Sequence, residues 1–188
     1  DDKKYDVAYG KLSWNPVNDA AADLALLQTV DEIAASGFGD ASKIHLWGFS
    51  QGGQFTIRFA AAHPDRIAAA VAGAPGSQLL PTESVAWKYG VGANSDHPAP
   101  NGVSLDIDNF LRSRVMFGVG ENDHALTADN FDSSATPSSV MGVHRAERAV
   151  NAFAAWRTEA EQRGIPTDEF EHELFIASVN DHTWKQED

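Results

Sequence analysis

Apolar residues along the chain fall into two rhythms, short continuous runs and long stretches with a period near 3.6. Lys43-Ile-His-Leu-Trp47 and Arg114-Val-Met-Phe-Gly-Val-Gly120 are short apolar runs and read as buried strands. Phe170 to Ala177 reads as a last strand, with Leu174 and Ile176 facing one way. Tyr5 to Tyr9 is a further, weak strand candidate. Between these lie helical patterns. Asn18 or Asp19 is placed to cap a helix running to about Ser36, with Leu24, Leu27, Val30, Ile33 and Ala34 on one face and Gly37 at its left-handed end. Gln51 to His63 reads as a helix ended by Pro64, and Val143 to Arg163 as a longer one whose stripe is Ala146, Ala149, Val150, Phe153, Trp156 and Ala160. Arg66 to Ala72 fits either period, but Pro64 before it and Ala74-Pro75-Gly76 after it leave room only for a short strand. Strands alternating with helices predict an α/β fold, a mostly parallel sheet flanked by helices.

One stretch breaks the rhythm. Residues from about 77 to 113 hold Pro81, Pro98, Pro100, Gly90, Gly92 and Gly102, with Trp87, Tyr89 and Phe110 among them. The pattern predicts an irregular insertion, either a surface excursion or a cap over a site. No internal repeat or low-complexity tract occurs, so 1–188 reads as a single domain.

Composition narrows the function. There are 27 Asp and Glu against 14 Lys and Arg, a formal charge of −13. That surplus argues against a nucleic-acid partner, whose phosphates are bound by Lys and Arg, and equally against an anionic membrane surface. No run of 18 apolar residues offers a membrane span, and no apolar stretch follows Asp1-Asp2-Lys3-Lys4 as in a signal peptide. The chain reads as soluble, with a secreted or periplasmic setting favoured slightly over the cytoplasm. It has no cysteine, and its His and Asp do not cluster at ligand spacing, so neither a metal nor a cofactor is expected.

The chemistry concentrates in Gly48-Phe49-Ser50-Gln51-Gly52, a G-x-S-x-G pentapeptide. Alone it is a weak signal, but a predicted strand enters it and a predicted helix leaves it. On such a sharp turn the serine hydroxyl stands out of the sheet edge. Gly48 and Gly52 are expected to remove side chains that would collide, and Gly53 to let helix and sheet approach. Gln51 N–H at the helix start is a candidate oxyanion donor. A serine hydroxyl needs a base, and the base an orienting acid. Along such chains the acid precedes the histidine. Asp123 follows Gly120-Glu121-Asn122 just past a strand, with Glu121 and Asp129 as rivals. Of seven histidines, His182 lies beyond the last strand, where an imidazole can fold back over the serine. His45 and His172 lie within strands, His63 at a helix end, His97 in the insertion and His144 at a helix start, while His124 precedes the last helix and strand. Trp184 is a candidate wall of an acyl pocket or a packing residue. Trp87 is a second candidate substrate contact. Asp40-Ala-Ser-Lys reads as a polar entry to the serine's strand, and Asp106 and Asp108 as solvated or helix-start carboxylates.

The chain resembles the α/β-hydrolase family from about Ala20 to Trp184. Gly48 to Gly53 is similar to the nucleophile turn of carboxylesterases, acyl thioesterases and polyester depolymerases. Gly120 to Asp123 is similar to the acid turn, and Asn180 to Trp184 to the histidine loop. The resemblance implies a serine esterase acting on a small or polymeric ester. By that resemblance Ser50 would attack the carbonyl, His182 would shuttle the proton and Asp123 would orient the imidazole. An acyltransferase, or a non-catalytic module that keeps these residues, shares the same motifs. The family sheet has about eight strands, with the serine after the fifth. The stretch before Ser50 holds at most one strand ahead of Lys43, and no His-Gly of an HGGG-type oxyanion loop occurs. The expectation is a C-terminal portion of a catalytic domain. An N-terminal portion or a second chain would then complete the sheet beside the Lys43–Trp47 strand.

Overall fold

In the computed structural model, residues 22–92, 105–125, 135–178 and 181–182 are described. Four strands form one parallel sheet in the order β1 (Ile44–Phe49), β2 (Ile67–Gly73), β3 (Val115–Gly120), β4 (His172–Ala177). Sequence neighbours are also sheet neighbours, so each connection crosses over once. The helices are α1 (Ala22–Ala35), α2 (Gln51–Ala62), α3 (Ile107–Leu111), α4 (Ala135–Met141) and α5 (Arg145–Gln162). The α2 helix lies against β1 and β2, and α5 against β3 and β4. The expected strands and long helices are present, with ends displaced by one or two residues. Two short helices, α3 and α4, carry no sequence period long enough to read. The Tyr5–Tyr9 candidate and the cap of α1 lie outside the described residues.

Register explains the core. Leu46, Ala70, Val115 and His172 are aligned across the four strands, as are Gly48, Ala72, Phe117 and Leu174. These two rows face α2 and α5 and join the apolar cluster with Ile57, Phe59, Phe110 and Trp156. The row between them, Trp47, Val71, Met116 and Glu173, points to the opposite face because side chains alternate along a strand. There Trp47 is 62% exposed and Phe175, one row on, 44%. Among the described residues the sheet is therefore covered on one side and open on the other. No strand among the described residues pairs with the outer edge of β1.

The predicted face of α1 is only half correct. Leu26 and Leu27 meet the core, while Leu24 and Ile33 stay exposed. What turns the helix is a polar contact: Asp23 is fully buried and its Oδ2 lies 2.9 Å from His63 Nε2 at the end of α2. Gly37 does take the left-handed angle, φ 87°, at the helix end. Asp40 accepts Ser42 N–H at 2.8 Å before β1. That bond holds its carboxyl below the ordinary value. Asp106 caps α3 by accepting Asn109 N–H at 3.0 Å.

His172 is a core residue of β4. Its ring sits among Phe110, Phe117, Trp156 and Phe170, and its Nε2–H donates to Phe110 O at 3.0 Å. Burial pushes the imidazole from 6.5 down to about 4, against the opposing pull of the Phe110 carbonyl. Between those two values the unfolded chain binds a proton that the folded chain refuses. The stability from this group is whole above pH 6.5 and is lost as pH falls toward 4. Between pH 7 and 5 the loss is about 2 kcal/mol. Urea titrations at the two pH values are expected to show it, and His172→Phe to remove that share. A variant with the wild-type pH dependence would overturn this assignment.

Irregular structure does occupy the described part of 77–113, with isolated bridges Leu80–Gly90 and Ala86–Gly92 ahead of α3. Buried donors fasten it. Arg58 of α2 donates from Nε to Lys88 O (2.8 Å), from Nη1 to Gln54 O (2.8 Å) and from Nη2 to Ser77 Oγ (2.9 Å). Arg148 donates to Gly76 O, and Trp156 Nε1 to Leu79 O at 2.8 Å. Fully buried arginines persist only when paired, and among these partners the Lys88 and Gly76 carbonyls belong to irregular chain that lacks ladder partners.

Candidate active site

All four strands run the same way, so their carboxyl ends share one edge of the sheet, and loops leaving that edge meet. Ser50 follows β1, Asp123 follows β3 and His182 follows β4. Ser50 has φ 55° and ψ −114°, a left-handed backbone that a serine adopts only when its surroundings enforce it. The enforcement is visible. Ser50 N–H donates to Gly73 O at the end of β2 at 2.7 Å, and Ser50 O accepts Gln54 N–H at 3.1 Å as α2 begins. At Gly48 a Cβ would collide with the Gly52 carbonyl, and at Gly53 it would lie 2.7 Å from Gly73 O. Gly52 differs from expectation: nothing lies within 4 Å of a Cβ there. The turn needs glycine at 48 and 53, whereas position 52 has open space.

His182 Nε2 lies 3.1 Å from Ser50 Oγ, and His182 Nδ1 lies 2.8 Å from Asp123 Oδ2. A carboxylate can only accept, so Nδ1 carries the proton and Nε2 is left to accept the serine hydroxyl. Ser50 is 5% exposed and Asp123 1%, whereas Glu121 is exposed. Asp129, the other rival acid, lies outside the described residues, as does Trp184. The acid turn is tied to its neighbours: Glu121 N–H donates to Ala177 O at 2.9 Å, and Asp123 N–H to Gly120 O at 3.1 Å. The loops that carry Asp123 and His182 therefore start from one hydrogen-bonded corner. Gln51, 7% exposed, is the first residue of α2, where a helix leaves its backbone N–H groups without internal acceptors.

Trp87 is a correction. It is 1% exposed and packed in the core beneath the irregular segment, so it has no surface to offer a substrate. Two neighbours of the site escaped the sequence reading. The Phe49 ring stacks on His182, centroids 5.0 Å apart and planes 29° apart. Its position inside the pentapeptide was a usable signal. Arg145 Nη1 donates to Asp123 Oδ1 at 3.2 Å, with both side chains fully buried. An arginine opening a polar helix turn gives no such signal. Among the described residues, no three His, Asp or Glu side chains are grouped to hold a metal, and no helix is long and apolar enough to cross a membrane.

Strand order, the strained serine turn and the layered helices define a partial α/β-hydrolase fold. Over residues 8–130 the chain matches the prolyl oligopeptidase family, and it belongs to that family. It is similar to the crystal structure of LpqC, a poly(3-hydroxybutyrate) depolymerase from Bordetella parapertussis. Identity there is 26% and the TM-score 0.67, over 85% of this chain and 51% of that one. It also shares its fold with poly(aspartic acid) hydrolase-1 from Sphingomonas sp. KT-1, at 22% identity and TM-score 0.69, over 86% of this chain and 58% of that one. No curated protein matches it. The chain spans about half the length of the solved structures it resembles.

Proposed function

We propose that this chain carries the reacting residues of a serine hydrolase that cleaves carboxylic esters. The observation that carries the reading is the continuous contact from Ser50 Oγ through His182 to a buried Asp123. Ser50 Oγ attacks the carbonyl carbon as His182 Nε2 takes its proton. The oxyanion forms beside the N–H of Gln51. Its collapse expels the alcohol, which leaves with the proton from His182, and acyl-Ser50 remains. A water, deprotonated by the same nitrogen, then releases the acid. Asp123 keeps the imidazole in the required tautomer. The likeness to a polyester depolymerase favours an ester, small or polymeric, and Trp184 is proposed as a wall of its acyl pocket. Family membership favours a second reading, a peptide or amide bond at the same serine.

The irregular segment near 77–113 is proposed as a cap on this site. The outer edge of β1, unpaired among the described residues, is proposed to pair with further strands, carried on a longer form of this protein or on a second chain.

The test uses the complete protein. A fluorophosphonate probe is expected to label Ser50, and a p-nitrophenyl butyrate assay to show turnover. A peptidyl-proline p-nitroanilide is expected to be cleaved at least about 100-fold more slowly, since a site discriminates by differential transition-state binding. Absence of labelling in folded protein overturns the hydrolase reading. An anilide cleaved as fast as the ester replaces the esterase with a peptidase.

A further inference from the structure

We propose that Arg145 is a positioning residue for the reaction, fixing Asp123 so that its other oxygen meets His182. The inference rests on the hydrolase reading above and extends it to a residue that touches no substrate.

Arg145 stands in an unfavourable place for a cation. It is the first residue of α5, where the helix dipole places partial positive charge, and it is fully buried. Burying a guanidinium is costly unless an anion meets it. Asp123 is that anion: Arg145 Nη1 lies 3.2 Å from Oδ1, while Oδ2 lies 2.8 Å from His182 Nδ1. The two contacts divide the carboxylate between them. Held at one oxygen, a carboxylate is free to rotate about Cβ–Cγ and exchange its oxygens. Held at both, its plane is set, and the lone pair that receives Nδ1–H is aimed.

The base of this clamp is rigid. The α5 helix runs 18 residues against β3 and β4, the two strands whose ends carry Asp123 and His182. Its first turn also grips the acid turn through the backbone and a neighbouring ring. Ala146 N–H donates to Asp123 O at 3.4 Å, and the rings of His144 and His124 lie 4.1 Å apart. His144 caps the helix by accepting Glu147 N–H at 3.2 Å. Arg145 thus transmits the position of a packed helix to one oxygen of the acid.

The experiment is a double-mutant cycle on an ester substrate, in the complete protein. Arg145→Met is expected to lower kcat by about 10- to 100-fold, the range for losing one charged hydrogen bond, with KM unchanged. Arg145→Lys is expected to recover part of that loss. In an Asp123→Asn background, Arg145→Met is expected to cost nothing further, because the group it positions is already gone. Wild-type kcat in Arg145→Met overturns the proposal. So does an equal fractional loss in both backgrounds, the signature of a merely structural residue. If Arg145→Met fails to fold by circular dichroism, Arg145→Lys and Arg145→Gln carry the same cycle. Fluorophosphonate labelling of the wild type separates the two failures: no label sinks the hydrolase reading, whereas retained label with additive losses sinks only the role of Arg145.

Discussion

Ser50→Ala is expected to lower kcat on a chromogenic short-chain ester by about 10⁵- to 10⁶-fold, the scale seen when a serine hydrolase loses its nucleophile. The size follows from what the substitution removes. Only Oγ is lost, yet in the proposed reaction that atom forms the acyl bond, and His182 Nε2 at 3.1 Å then has no hydroxyl to deprotonate. What remains is binding and the oxyanion donors, which alone still accelerate hydrolysis by roughly 10³–10⁴ over water. Folding is not expected to suffer. The φ of 55° is held by the Gly73 carbonyl and the start of α2, and both contacts are made by the backbone of residue 50. Steady-state kinetics beside a thermal unfolding curve checks both halves. A loss under tenfold in a stably folded variant would place the nucleophile elsewhere.

The fold and the three residues gathered at the candidate site were legible for one reason. Apolar runs at Lys43–Trp47, Arg114–Gly120 and Phe170–Ala177 are each followed closely by a polar residue whose chemistry is complementary to the others. Parallel strands then bring their carboxyl ends together without further instruction. The illegible parts share a different cause, which is that they depend on tertiary partners. Asp23 and Leu24 are adjacent on α1, and period alone turns the leucine inward. The buried His63 reverses that choice. Arg58, Arg145 and Arg148 look like solvated helix residues until the carbonyls and carboxylate they meet are known. Trp87 shows the opposite error: an aromatic in irregular chain suggests a binding surface, yet here it fills the core beneath that chain. Gly52 belongs to the motif, but the crowding that motivates glycine falls at Gly48 and Gly53.

The second large effect concerns the sheet. Supplying the strands that pair with β1 is expected to raise kcat at least about 10³-fold over the 188-residue chain alone. One contribution is chemical: Gln51 N–H is the one oxyanion donor proposed here, and lacking a second donor would cost roughly 10²–10³. The other is mechanical. The β1 strand carries the strained Ser50 turn, yet among the described residues it is paired on one side only, with β2. A neighbour on its outer edge would hold the turn from both sides and bring a loop beside the serine. The same unit is expected to cover the face left open by the described residues, where Trp47 is 62% and Phe175 44% exposed. Left alone, an apolar edge of this kind pairs with its own copies, so the short chain is expected to self-associate on size exclusion. The relatives leave room for this unit, since the chain covers 51% and 58% of their lengths. Intact-mass measurement of the protein from its natural source is therefore expected to give well over 20.2 kDa, or a second polypeptide that co-purifies. A 20.2 kDa monomer with full esterase activity would show that β1 needs no partner and that Gln51 suffices as donor.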